Sequence, residues 1–128
     1  MRLLIDTNRL TDALRGEPEA VAVLERADAV EIPFIVAGEL KAGFLAGSRA
    51  AANELLLAKL LLQPQVALRF ADRETLDVYA RLYAYLRRQG TPVPANDLWI
   101  AALAVQHQLT LFTRDRHFEL MPQVSLWR

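Results

Sequence analysis

The chain reads as an α/β protein on a mostly parallel central sheet of four to five strands, with helices on both faces. Two observations predict this. Short apolar runs alternate with longer, helix-patterned segments from one end to the other. The stretches between successive strands are long enough for right-handed crossover connections, which a parallel sheet requires.

The elements follow in order. Arg2 to Ile5 is a short strand ending at Asp6, and Thr7 to Arg15 is a helix that Gly16 closes. Pro18 sits where a first helical residue belongs, and Glu19 to Arg26 continues that helix. Val30 to Pro33 is a second strand, and Val36 to Leu45 a helix closed by Gly47. Ser48 is the expected cap of a long helix, Arg49 to Leu62, which Pro64 stops. Val66 to Phe70 is a third strand. Asp72 caps the next helix, with Thr75, Leu76, Tyr79, Leu82, Tyr83 and Leu86 spaced for one apolar face. Gly90, Pro92 and Pro94 end it. Asn96 or Asp97 opens a helix carrying Leu98, Ile100, Ala101, Ala104 and Val105, with Trp99 and Ile100 read as core. Leu109 to Thr113 is a fourth strand, and Val124 to Leu126 an expected fifth at an edge.

Composition bounds the function. The 128 residues are 53% apolar and 23% charged, enough to bury a core as one domain spanning 1–128. Disorder as the main state is excluded. Fifteen basic and fifteen acidic residues balance, which excludes a strongly basic nucleic-acid binder and an acidic tail. Lys41 and Lys59 are the only lysines, and the remaining basic residues are arginines, suited to fork-like contacts with phosphate. The chain has no cysteine, so disulfides and thiolate metal sites are ruled out. No run approaches the ~20 apolar residues that span a bilayer. The opening lacks the apolar stretch of a signal peptide, and the expected location is the cytoplasm, away from membranes.

Ligands of parallel sheets bind beyond the carboxyl ends of the strands, and acids gather there. Asp6 follows the first strand, Asp115 follows the fourth, and Asp97 opens the helix between the third and fourth. Each has an ordinary reading as a helix cap or turn residue. Glu39 lies on a helix whose other residues are nearly all apolar or small; it reads either as one exposed acid near Lys41 or as a carboxylate pointing into a site. Four carboxylates at one sheet edge repel one another and raise each other's pKa. Such a cluster persists when a cation neutralises it, and an all-oxygen donor set suits Mg²⁺ or Mn²⁺. Those ions bind phosphate and acidify water, the requirement for phosphodiester hydrolysis.

The residues that carry a family resemblance are LLIDTN at the start, AGELKAGF, ANDLWIAALAVQHQLTLFTRD, and Phe118 just after. In this order and at these distances the sequence resembles a PIN-domain ribonuclease over nearly its whole length. In size it resembles the toxin half of a VapBC-type toxin–antitoxin pair. The resemblance implies a PIN-like three-layer sandwich and Mg²⁺- or Mn²⁺-dependent cleavage of RNA. It implies Asp6, Glu39, Asp97 and Asp115 as catalytic acids, with Asp6, Asp97 and Asp115 holding the metal. Thr7, Asn8, Asn96 and Thr113 are the implied supporting polar residues. Arg9, Arg114 and Arg116 flank the acids as candidate contacts to the RNA backbone. Some members carry a further acid two residues past the last one; here that residue is His117, a weak ligand, a phosphate contact or a surface histidine. His107 reads as a charge partner at a helix C-terminus.

The expected partners are RNA, a cognate antitoxin and a second copy of the chain. Leu55, Leu56, Leu57, Leu60, Leu61 and Leu62 cover most of the circumference of their helix, more than one buried face needs. The second apolar side, with Phe44 and Leu45 beside it, is the expected interface. Three other readings compete. A stand-alone nuclease would have no antitoxin partner. A non-catalytic PIN-like binding module is disfavoured because all four acids are present. A phosphoryl-aspartate protein is disfavoured because neither lysine follows a late strand.

Overall fold

The computed structural model describes residues 1–127. Its centre is a four-stranded parallel sheet in the order β3-β2-β1-β4. The strands are β1 (Arg2–Ile5), β2 (Ala29–Pro33), β3 (Val66–Arg69) and β4 (Thr110–Phe112). Leu3 pairs with Val30 on one side and with Thr110 on the other. Leu3, Leu4 and Ile5 are all fully buried. Successive residues of a strand point to opposite faces, so both faces of β1 are covered.

Six helices among the described residues do the covering: α1 (Thr7–Leu14), α2 (Pro18–Arg26), α3 (Phe34–Ala46), α4 (Ala50–Leu61), α5 (Arg73–Gln89) and α6 (Ala95–Gln106). Their ends follow local chemistry. Pro18 opens α2 with Glu17 as cap, both of whose carboxylate oxygens accept backbone N–H bonds. Asp72 and Thr75 form a reciprocal capping box at the start of α5. Gly90 closes α5 at φ 77°, a left-handed conformation that side chains with a Cβ resist.

Four expectations change. Ser48 does not cap α4: the N-cap is Arg49, with no side-chain bond to the helix. The expected edge strand at Val124 to Leu126 is one parallel bridge, Leu126 to Leu111. A turn closed by Val124 N–H to the Met121 carbonyl leaves only the last residues in line with β4. On α5 the buried stripe is Thr75, Val78, Leu82 and Leu86, whereas Leu76 and Tyr83 are exposed. That stripe faces α6, where Tyr79 stacks on Trp99 at 4.0 Å. At the end of α6, burial and then Arg69 push the His107 pKa down, which disfavours the charged form that the charge-partner reading needs.

A feature not read from sequence is a buried acid in the sheet. Glu31 lies in the second strand and is 6% exposed. Arg69 of β3 donates from Nε to its carboxylate, and Arg2 lies 3.5 Å from the other oxygen. The pairing makes its burial tolerable.

On α4 only Leu57 is fully buried. Leu60 and Leu61 pack partly, and Leu55, Leu56 and Leu62 are exposed, as is Leu45 at the end of α3. A single helix therefore contributes to the core and carries a second apolar side. Leu57→Ala is expected to destabilise the fold by about 2–5 kcal/mol. Leu55→Ala should stay within about 0.5 kcal/mol of wild type. Urea unfolding of both variants, with unchanged slope, is the measurement.

Candidate active site

The strand order locates the site. The chain builds outward from β1 through β2 to β3, then returns to place β4 on the other side of β1. The switch point therefore lies between β1 and β4, where a parallel sheet opens a crevice at its carboxyl edge. Asp6 leaves β1 at that point, and Thr113 to Asp115 leave β4 there. The backbone N–H of Asp6 still bonds to the Phe112 carbonyl at 3.1 Å, so the two exits are tied together.

Asp6 is 5% exposed. Its Oδ1 accepts from the Thr7 N–H at 2.7 Å, which caps α1. Its Oδ2 accepts from the Thr113 hydroxyl at 2.7 Å and from the Asn8 amide at 3.5 Å. Thr113 Oγ1 in turn accepts from the Asp115 N–H at 2.9 Å, and Asn8 Oδ1 accepts from the Arg114 N–H at 3.2 Å. Thr113 and Asn8 thus bind the β1 exit to the β4 exit. Asp115 caps the short 3₁₀ turn Arg116–Leu120 through the His117 N–H, while Phe118 of that turn is fully buried and anchors it. Asp97 stands in the first turn of α6.

His117 joins the acids. Its Nδ1 lies 2.8 Å from Asp97 Oδ2 and 3.3 Å from Asp115 Oδ1. One donor atom each from Asp97, Asp115 and His117 fall within 4.8 Å of one another. The expected metal trio contained Asp6 instead of His117. Asp6 stands outside that group, yet it feels both other carboxylates. Its pKa is raised first by burial and then by Asp97 and Asp115, against the bonds from Thr113 and Thr7. Burial raises Asp97, with Asp115 adding to it and the His117 bond opposing it. His117 is raised, chiefly by its bond to Asp97. The donor set, two carboxylates with an imidazole at hand and a third carboxylate beside them, fits a divalent cation.

Glu39 is on the exposed side of α3, five residues after the helix start at Phe34. Among the described residues it makes no ion pair. Burial, then Asp6, then Asp97 raise its pKa, and it lines the same cavity as Thr7, the residue after Asp6. The sequence reading of a carboxylate on a mostly buried helix overstates its burial.

The other candidates divide. Asn8 and Thr113 bond to Asp6 directly. Thr7 lends its N–H, while its buried hydroxyl has no partner. Asn96 is exposed and bonds to none of the acids. Arg9 is mostly covered, 3.6 Å from Asp12, with its guanidinium 4.8 Å from the centre of the Phe112 ring. Its charge is committed inside the fold. Arg114 is exposed and bonds to Asp12 at 3.1 Å. Arg116 is exposed beside the cluster. The one residue that sequence reading left undecided is His117, and no pattern in the chain alone could have turned its ring toward Asp97.

A parallel α/β sheet with acids gathered at its switch point defines a class, and the chain belongs to one family within it. It is a PIN-domain protein: that family's model matches residues 3–123. The chain is 34% identical to Ribonuclease VapC4 of Mycobacterium tuberculosis, over 98% of this chain and 95% of that protein. Its fold is similar to FitAcB from Neisseria gonorrhoeae, with a TM-score of 0.81 at 29% identity, covering 98% and 96% of the two chains. It is also similar in fold to VapBC2 from Rickettsia felis, with a TM-score of 0.88 at 24% identity over 99% and 98%.

The raised acids make a pH prediction. In the folded chain Asp6, Glu39 and Asp97 hold protons at pH values where the unfolded chain has released them. Without metal, stability is therefore fullest below about pH 4 as regards these groups, and it falls as pH rises through their folded pKa values. Glu39→Gln removes one repelling charge with no hydrogen bond lost. Metal-free Glu39→Gln should melt about 2 °C above wild type at pH 7 and level with it at pH 4. Thermal scans with chelator at the two pH values are the check.

Proposed function

We propose that the protein is an Mg²⁺- or Mn²⁺-dependent ribonuclease that hydrolyses RNA phosphodiesters and acts as the toxin of a toxin–antitoxin pair. The observation that carries this reading is the meeting of Asp97, Asp115 and His117 donor atoms within 4.8 Å, with buried Asp6 beside them. The relatives named as ribonuclease and toxin support it.

In this reading Asp6, Asp97 and Asp115 hold the cation, and His117 either completes the donor set or yields its place. When bound, the ion supplies Lewis-acid charge at the scissile phosphate and acidifies water there. Asn8 and Thr113 keep Asp6 oriented. Glu39 has no partner and an elevated pKa, so it is the group suited to taking a proton from the attacking water. Arg116 and Arg114 lie where an RNA backbone would approach, and their charge offsets that of the acids.

The partner side of the reading rests on α4. Leu56 and Leu60 line a cavity of about 330 Å³ with Leu14 of α1 and Val21 and Leu24 of α2. An apolar antitoxin segment laid in that groove would cover the side of α4 that the core leaves exposed. The adjoining Leu45 and Leu62 give a second copy of the chain an apolar surface to bury.

Two outcomes are expected. Purified protein cuts RNA with Mg²⁺ or Mn²⁺ and stops with chelator. Asp97→Asn and Asp6→Asn each lose at least about a hundredfold in rate while circular dichroism stays unchanged, because a carboxamide no longer neutralises the cation. Near-full activity of Asp97→Asn would sink the assignment. In cells, wild-type protein made alone arrests growth, Asp6→Asn relieves the arrest, and co-expressed antitoxin protects. Leu56→Glu with Leu60→Glu should abolish that protection and spare cleavage.

A further inference from the structure

A second cavity, of about 300 Å³, opens between α1, α3 and α4. Thr7, Thr11 and Arg15 line it from α1 and its end, Glu39 from α3 and Asn53 from α4, over an apolar floor that includes Phe44. Its polar groups are uncommitted. Among the described residues the Arg15 guanidinium has no ion pair, and the Asn53 amide and the Glu39 carboxylate accept and donate no bond. The Thr7 hydroxyl is buried without a partner. Nearby, Lys41 of α3 pairs with Glu54 of α4 at 2.9 Å and leaves these groups to the hollow. One buried hydroxyl without a partner, beside a guanidinium, an amide and a carboxylate that water alone satisfies, suits the hollow to a polar ligand.

The cavity is continuous with the acid site. Thr7 follows Asp6 directly in the chain. Glu39 lines the cavity and is also raised by Asp6 and Asp97. Whatever fills the hollow therefore lies next to the scissile phosphate. Its volume is at the low end of small-molecule sites, about 300 Å³, which suits one nucleoside rather than a duplex or a helix.

We propose that this cavity is the subsite for the ribonucleotide flanking the cleaved bond, read through Arg15 and Asn53; the inference builds on the ribonuclease reading. Arg15 is the cation for that nucleotide's own phosphate. The Asn53 amide offers one donor edge and one acceptor edge, the complement of a base edge. The Thr7 hydroxyl and the Glu39 carboxylate accept from a 2′-hydroxyl, which a deoxynucleotide lacks. The floor beside Phe44 takes the apolar face of the base. Selectivity at one position beside the cut follows, together with preference for RNA over DNA.

The test has two arms. In the first, metal-free protein in chelator is titrated with each of the four ribonucleoside 5′-monophosphates and their deoxy counterparts, followed by NMR. Wild type should bind the ribonucleotides, with the deoxy forms weaker by about tenfold, the worth of one lost hydrogen bond to a charged group. Arg15→Ala should lose binding, Arg15→Lys should recover part of it, and Asn53→Ala should level the order among the four bases. In the second arm, a random-sequence RNA pool is cut with Mn²⁺ and the ends are sequenced. Asn53→Ala should flatten preference at one position next to the cut, and Arg15→Ala should raise KM with kcat kept. Cleavage by wild type with an unchanged Asn53→Ala profile, or ribonucleotide binding that Arg15→Ala leaves intact, overturns the subsite and leaves the ribonuclease reading standing. Ribonucleotide binding that obeys the first arm without any RNA cleavage overturns the ribonuclease reading and keeps the cavity as a nucleotide site. No ribonucleotide binding by wild type overturns the cavity.

Discussion

Carboxylate repulsion at the carboxyl edge is the constraint on which the rest of the structure depends. Asp6, Asp97 and Asp115 are each perturbed by, or perturb, another member of the group, and Glu39 adds a fourth charge across the crevice. The fold offsets this with what it has. Asp6 caps α1 and Asp115 caps the 3₁₀ turn, each through a backbone N–H, and Asp97 lies in the first turn of α6, so every one sits at the positive end of a helical segment. The Thr113 hydroxyl supplies Asp6 with a strong bond at 2.7 Å. His117 closes on Asp97 and Asp115 and, once protonated, contributes the one cationic ring in the cluster. What remains unbalanced is the attraction for a cation.

This resolves the two readings that the acids allow from sequence. A helix cap and a site residue are not alternatives here, because the same N-terminus that needs an acceptor also steadies a charge in the crevice. Asp6 does both with separate oxygens: Oδ1 serves the helix, and Oδ2 faces Thr113 and Asn8.

Much of the fold was legible because it rests on local rules. A short apolar run such as Leu3 to Ile5, buried on both faces, suits an inner strand of a covered sheet, and Pro18, Asp72 and Gly90 punctuate helices by backbone chemistry alone. The errors come where a neighbour decides. Spacing marks Leu76 and Tyr83 as apolar-face residues of α5, but α6 packs against the stripe one residue over, so both point outward. Glu31 is an acid in the middle of a buried strand, acceptable because Arg69 and Arg2 on the two adjacent strands reach it, a relation that sequence distance conceals. Arg9 flanks the site in sequence and is spent on Asp12 and Phe112 in space. Asp6, Asp97 and Asp115 stand at strand and helix ends and Glu39 within a mostly apolar helix, all visible in the chain; their mutual geometry, and the arrival of His117, depend on how β4 and the turn after it fold back over β1.

The two cavities around α1 bring the substrate side and the partner side together. Leu14 lines both, one with Glu39 and Asn53, the other with Leu56 and Leu60. α4 shows the same division, because Asn53 belongs to the polar hollow and Leu56, one turn later, to the apolar groove. Residues three apart on a helix are neighbours, so the boundary between the two surfaces is a single turn wide. A segment seated along the groove therefore ends within one side chain of the hollow beside the acids. Competition between a groove-bound partner and a nucleotide then needs no hinge and no change of state, only a partner long enough to pass Leu14.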